Sequence, residues 1–407
     1  MGLRVAVIPI GGEAVRLRPL TVETSKAMVR ILNRPLVEFT IVNLARQGIE
    51  EIIMGVRGYY NYKDIYDYFG EGYWLEREYG ARIRLRYMPR AETRGNAEAV
   101  KISLEYYGIK EPVLVVQGDN LFEIDLDSFY KVHEAKRAFM TIALKEEERV
   151  EEFGVAAVDE NLRILKFVEK PKRREDAPSN LVNTGLYILS EDFLGFFEGD
   201  VGSKLYREGL MDFGSNVIPA AIGAGLPVYG YITKGFWFDV GSPDRYLAAA
   251  QYLLERLGPS DLASEEILPR VFVQGTSPES LMFKRELKER INSGDLKVEG
   301  NVLIGRHVKI GRGVHLKNAV VDNYTIIEDG AEVVDSVIMD RSIVEAGAKV
   351  ERSIVGRHGA IGRGAVVMGS VLGDDVSVGS RAVLINVKVW PHKAVSDGVK
   401  LENFVLS

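Results

Sequence analysis

Apolar positions along the chain follow two different rules. Up to residue 257 they come as short aliphatic runs at 5–10, 51–56, 83–88, 113–116, 141–144, 186–189 and 228–232. Between several of these lie stretches with helical spacing, at 35–47, 97–107, 127–136 and 243–256. Strand–helix alternation of this kind predicts an α/β domain on a mainly parallel sheet covered on both faces. Ligands in such folds bind at the C-terminal ends of strands, so the loops there are where chemistry belongs. From residue 300 a six-residue rhythm takes over: Ile304, Ile310, Leu316; Ile327, Val333, Met339; Val344, Val350; Ile361, Val367; and Leu372, Val378, Leu384, Trp390. Six matches neither a helix nor an alternating strand. It fits a coil with three short faces whose inward aliphatics stack turn upon turn, with one-residue slips at corners. Residues 300–407 therefore predict a hexapeptide-repeat parallel β-helix, and 1–257 the α/β domain. Residues 258–299, rich in Gly, Ser and Pro before a charged stretch, read as a linker with a short helix.

Composition sharpens this division. Of 3 Trp, 18 Tyr and 16 Phe, only Tyr324, Trp390 and Phe404 fall after residue 299, and no proline lies between Pro278 and Pro391. The 407 residues are 46% hydrophobic and 27% charged, ordinary for a soluble globular protein. A net charge of −6 offers no global basic surface for nucleic acid. No run approaches the roughly 18 apolar residues of a membrane span. The absence of cysteine excludes disulfide frameworks, thiolate zinc sites and cysteine nucleophiles, and fits a reducing compartment. The apolar run at the N-terminus is too short for a signal peptide, so a cytoplasmic location is expected.

The first strand runs into Gly11-Gly12-Glu13-Ala14-Val15-Arg16-Leu17-Arg18-Pro19-Leu20-Thr21, with Ser25-Lys26-Ala27 beyond. Adjacent glycines let backbone N–H groups approach a phosphate or base, and Arg16, Arg18 and Lys26 can neutralise a triphosphate and its leaving group. The spacing is neither G-x-G-x-x-G nor G-x-x-x-x-G-K-[ST]. Asp119 follows a strand and Gly118, and Asp239 sits beside two aromatics ahead of Gly241. Glu169 and Lys170 follow another strand: a carboxylate accepts from sugar hydroxyls while an ammonium meets a phosphate.

The loop resembles the G-G-x-G-T-R-L-x-P-L-T…P-K-P loop of the sugar-nucleotide pyrophosphorylases. Gly118-Asp119, Val168-Glu169-Lys170-Pro171, Asn183-Thr184-Gly185 and Trp237-Phe238-Asp239-Val240-Gly241 agree with that family in order. Ala14 and Val15 replace its second loop glycine and threonine, and Ser25 and Ala27 replace the prolines around the lysine; alanine fits there if its φ is negative. The resemblance implies a Rossmann-like mixed sheet followed by a left-handed β-helix. It implies that a nucleoside triphosphate and a hexose 1-phosphate give a nucleoside-diphosphate sugar and pyrophosphate. Arg16, Lys26 and Asp119 would be catalytic, and Mg²⁺ would sit on Asp119 and Asp239. Gly11, Gly12, Glu13, Glu92, Gly95 and Gly118 would bind the nucleotide, and Gly154, Glu169, Lys170, Asn183 and Thr184 the sugar phosphate. The ending Val389-Trp390-Pro391-His392-Lys393 is similar to the mannose-1-phosphate guanylyltransferase branch, and Glu92 could accept from guanine, so GTP and mannose 1-phosphate are the expected pair. UTP or dTTP with glucose 1-phosphate, an added acetyltransferase activity in the β-helix, and a silent regulatory subunit are the alternatives. His307, His315, His358 and His392 form no recognised cluster for acyl transfer. The β-helix is expected to serve assembly of a homo-oligomer, with Trp390 capping the last rung or anchoring a subunit contact.

Overall fold

Val5–Ile10 (β1) is buried on both sides, Val5 and Val7 toward one core and Ala6 and Ile8 toward the other, as a central parallel strand requires. The computed structural model describes residues 2–12, 14–90 and 92–407. The chain forms two units: Met1–Gly12 with Leu36–Asp239, and Glu13–Pro35 with Val240–Ser407. The segment 13–35, expected within the α/β domain, thus folds with the later residues.

In the first unit β1 is joined by β2 (Glu51–Arg57), β3 (Arg84–Arg90), β4 (Val113–Val116), β5 (Asn120–Phe122), β6 (Met140–Glu146), β7 (Gly154–Val158), β8 (Ile164–Glu169), β9 (Leu181–Leu189), β10 (Val228–Ile232) and β11 (Trp237–Asp239). The main sheet has the order β8-β7-β9-β4-β1-β2-β3, with β6 pairing β9 and β10 pairing β6. Its β3-β2-β1-β4 half is parallel, while β9 runs antiparallel to β4, β6 and β7. The sheet is mixed. Helices Leu36–Arg46, Asn96–Tyr107 and Leu126–Lys136 fall at the expected places. Among them, Ala97, Val100 and Leu104 pack with Val5, Val7, Val113 and Val115.

The second unit contains a parallel β-helix. Its sheet registers run Leu303↔Val320↔Val337↔Ile354↔Val371, a constant step of 17 residues. Three six-residue sides would need 18, so one side of every coil is a residue short. The inward positions are accordingly Leu316, Val321, Ile327, Val333, Ile338 and Val344. Ile338 takes the place expected for Met339, and Val389 that expected for Trp390. Trp390 is not on the last rung either, because its N–H donates to the Leu406 carbonyl of a further one at 2.8 Å. Residues 258–299 hold the strand pair Ser264–Leu268 and Val271–Gln274 and the helix Pro278–Ser293. Val271–Gln274 is itself a rung, parallel to Val302–Ile304. The helix lays Leu287 into the coil core, and Arg290 donates to the carbonyls of Ile310 and Gly311 at 2.7 and 2.5 Å. It covers the first end of the coil, an edge otherwise open to pairing.

Candidate active site

Parallel neighbours bring four loops of the first unit to one end of the sheet. β1 lies in register with β2 and β4, and Arg57 at the end of β2 faces Arg90 at the end of β3. Gly11 after β1 abuts Arg57, and Gly118 after β4 packs on Ile8 and Ile10. Gly95 follows β3 and opens the helix Asn96–Tyr107 at a φ of 151°. A Cβ at Gly95 would stand 2.1 Å from the carbonyl oxygen of Met211, so only glycine fits. Glu92 in the same loop is exposed.

The carboxylates expected to bind metal meet through a small strand pair. β5 and β11 are antiparallel with Asp239 opposite Asn120, which sets Asp239 beside Asp119. The carbonyl of Thr184 accepts from Asn120 Nδ2 at 2.7 Å and from Trp237 Nε1 at 3.0 Å, fastening both strands to β9. Both aspartates are half-buried. Two carboxylates at neighbouring positions suit Mg²⁺, which takes few protein ligands and completes its shell with phosphate and water oxygens. No group of three or more His, Cys, Asp or Glu suited to a metal occurs among the described residues.

Glu169 and Gly154, both expected at the sugar phosphate, are direct partners across β8 and β7. Lys170 just beyond adopts a φ of 44°, donates its N–H to the Phe153 carbonyl at 3.0 Å, and holds Nζ 3.9 Å from Glu169 Oε1. Burial raises the Glu169 carboxyl above the ordinary carboxylate range, opposed by Lys170 and reinforced by Asp212. Asn183 and Thr184 are engaged with their own surroundings. Asn183 Nδ2 donates to the Tyr187 hydroxyl at 2.8 Å and its Oδ1 accepts from Gly185 N–H at 2.9 Å. The buried Thr184 hydroxyl donates to the Ala143 carbonyl at 2.8 Å; its backbone, not its side chain, reaches the strands bearing the aspartates.

Arg16 and Lys26 lie in the second unit, in the short turns Val15–Leu17 and Lys26–Met28. Arg16 is exposed and Lys26 half-buried. Glu13 falls outside the described residues. Ala14 does not take the negative φ expected of an alanine. It stands at φ 44° and ψ 43°, the left-handed region that costs an L-residue about 1–2 kcal/mol. Its carbonyl accepts from Leu17 N–H at 3.0 Å and Thr21 Oγ1 at 2.9 Å, contacts that hold it there. In the coils, His307, His358 and His392 occupy the same left-handed corner. His307 stacks on Tyr324, His358 Nδ1 lies 3.3 Å from Asp375, and His315 Nε2 lies 2.9 Å from Glu299.

A family profile described as nucleotidyl transferase matches residues 5–256. The chain belongs to this family. A second profile, the GMPPB C-terminal domain, matches residues 298–405 of the nucleotidyltransferase. Similar curated proteins include the UTP–glucose-1-phosphate uridylyltransferase of Synechocystis, 28% identical over 79% of this chain and 82% of that protein. The mannose-1-phosphate guanylyltransferase of Mycobacterium tuberculosis is 28% identical over 78% and 79%. A solved UDP-glucose pyrophosphorylase complexed with UDP-glucose shares the fold, with TM-score 0.53 and 23% identity over 63% of this chain and all of that one.

One segment beside the candidate site of this nucleotidyltransferase was not expected from the sequence. Met211–Gly214 links the loop after β3 to Glu169: Ala97 N–H donates to the Met211 carbonyl at 3.0 Å, and Phe213 N–H donates to Asn96 Oδ1 at 2.8 Å. A Cβ on Gly214 would stand 2.3 Å from Glu169 Oε2. The segment has no periodicity or charge cluster; its only signal was a glycine beside Phe213.

Proposed function

We propose that this nucleotidyltransferase joins GTP and mannose 1-phosphate to give GDP-mannose and pyrophosphate. The observation that carries the chemistry is the pairing of Asp239 with Asn120, which makes one group of Asp119 and Asp239, with Glu169 and Lys170 as a sugar-phosphate reader. The choice of substrates is supported by the Val389–Lys393 ending and by the guanylyltransferase relative. UTP with glucose 1-phosphate is the second reading, favoured by the uridylyltransferase relative.

An oxygen of the sugar phosphate attacks the α-phosphorus of the triphosphate, that P–O bond forms, and the bond to the bridging oxygen breaks as pyrophosphate leaves. No protein nucleophile is required, so catalysis is positioning and charge stabilisation. The backbone at Gly11, Gly12, Gly95 and Gly118 admits the nucleotide, and Glu92 accepts from the base. Lys26 holds phosphates, and Arg16 stabilises charge on the departing pyrophosphate. Lys170 takes the sugar phosphate, while Glu169, beside Gly154, accepts from hydroxyls; Asn183 and Thr184 frame that side. Asp119 and Asp239 would hold Mg²⁺, whose charge, when bound, favours the α-phosphate and the leaving group. The chain works as a homo-oligomer.

Pyrophosphate release measured with a panel of triphosphates and sugar phosphates tests this reading. Asp119→Ala and Asp239→Ala should each lose about 10²–10³ in kcat with an unchanged circular dichroism spectrum. Lys170→Ala should raise KM for the sugar phosphate, and Lys26→Ala should damage use of the triphosphate. Turnover only with UTP and glucose 1-phosphate would select the second reading, and wild-type rates in either aspartate variant would remove its assignment. Light scattering reads the assembly.

A further inference from the structure

The segment that carries Arg16 and Lys26 is tied to the β-helix through the hairpin that follows it, with a buried ion pair at its centre. Arg30 and Ile31 pair with Arg34 and Pro35 in a hairpin whose two turn residues, Leu32 and Asn33, both have positive φ. From this hairpin the Arg30 guanidinium reaches Asp322 on the coil with two bonds, Nε to Oδ2 at 2.5 Å and Nη2 to Oδ1 at 2.9 Å. Nη2 also donates to the Asn33 carbonyl, closing the hairpin on itself. Asp340, one coil further, stands 3.8 Å from Nε. Around it, Tyr246 OH donates to the Arg30 carbonyl at 2.5 Å, and Asn33 Nδ2 donates to Gln274 Oε1 and the Val321 carbonyl at 3.2 and 3.3 Å.

The Arg30 and Asp322 side chains are 18% and 2% exposed. A forked guanidinium on a desolvated carboxylate fixes distance and orientation together, which a lysine could not. A second ion pair between this segment and the coils, Glu23 to His392 at 2.8 Å, is 46% and 58% exposed, and such pairs constrain little. Lys26 lies only four residues before Arg30, across the turn Lys26–Met28.

We propose that Arg30 is a positioning residue: its pair with Asp322 is a strut by which the β-helix sets the place of Lys26 and, through the same segment, Arg16. The coils then act on catalysis as well as on assembly. This rests on Arg16 and Lys26 facing the triphosphate and pyrophosphate, as proposed above.

In the full-length protein, Asp322→Asn and Arg30→Met should each lower kcat/KM for the triphosphate by roughly tenfold to a hundredfold, the scale of a 1 Å misplacement. KM for the sugar 1-phosphate should stay within about twofold, since Lys170 and Glu169 lie elsewhere in the chain. The exchanged pair, Arg30→Asp with Asp322→Arg, should recover part of the loss. Without substrates, amide hydrogen exchange across residues 14–29 should quicken in both single variants while the coils beyond residue 376 stay protected. Wild-type rates and exchange in both single variants, or a KM raised equally for the two substrates, overturn the strut. If the wild-type protein released no pyrophosphate with any triphosphate, the reading of Arg16 and Lys26 would fall. The exchange measurement would still decide whether the strut holds the segment.

Discussion

Glu169 sits in surroundings made tight by glycine, with Gly154 opposite and Gly214 behind, and its carboxyl is held above the ordinary range chiefly by burial. A carboxyl whose folded value is raised binds its proton earlier as pH falls, so its power to accept from sugar hydroxyls fades at a higher pH than for an exposed glutamate. KM for the sugar 1-phosphate should therefore climb on the acid side, and Lys170→Met should move that limb to higher pH by removing the opposing charge. A limb unmoved in the variant would detach Lys170 from Glu169. The stability sign is the reverse: the folded state prefers the proton, so ionised Glu169 costs stability at neutral pH and Glu169→Gln should raise Tm there while impairing sugar binding. At this scale Asp119, Glu169, Lys170 and Asp239 stood out in the sequence, because their types are chemically distinctive and they lie at or just past strand ends. Met211–Gly214 did not, since its contribution is a carbonyl, a backbone N–H and the absence of one side chain.

Elements show the same division between what alternation encodes and what packing decides. The coil was legible from its aliphatic rhythm, yet its true repeat of 17 residues was hidden. At the short corner two apolar residues stand side by side, Ile338 with Met339 and Val389 with Trp390, so pattern alone cannot say which turns inward. Backbone pairing chooses, because every rung must sit directly on the one before it. The register makes a sharp prediction. Deleting residues 359–375, one whole coil, leaves each inward aliphatic stacked on another and should preserve a cooperative melt at slightly lower Tm, as repeat stability is close to a sum of neighbouring interfaces. Deleting 359–376 shifts all later rungs by one residue, turns their aliphatics outward, and should melt much earlier or broadly. Equal melts for the two deletions would contradict the 17-residue step.

For the whole molecule, the division at residue 257 read from composition separates residues that fold together, because Glu13–Pro35 groups with Val240–Ser407. No local pattern could reveal this: Arg30 and Asp322 are each unremarkable in their own neighbourhoods, and 292 residues separate them. A chain cut after residue 257 keeps every residue proposed for catalysis but loses Asp322, Val321 and Gln274. It should bind sugar 1-phosphate by calorimetry while releasing pyrophosphate at no more than about a hundredth of the full-length rate; full activity would make the coils dispensable. The same separation gives the molecule a clock. At roughly 5–20 residues per second of synthesis, the hairpin bearing Arg30 waits about 15–60 s for the aspartate that anchors it. Contacts this distant in sequence are also slow to close once both ends exist. A segment made well before its anchor is thus among the last to become ordered, and a partly made chain has its cations but not their aim.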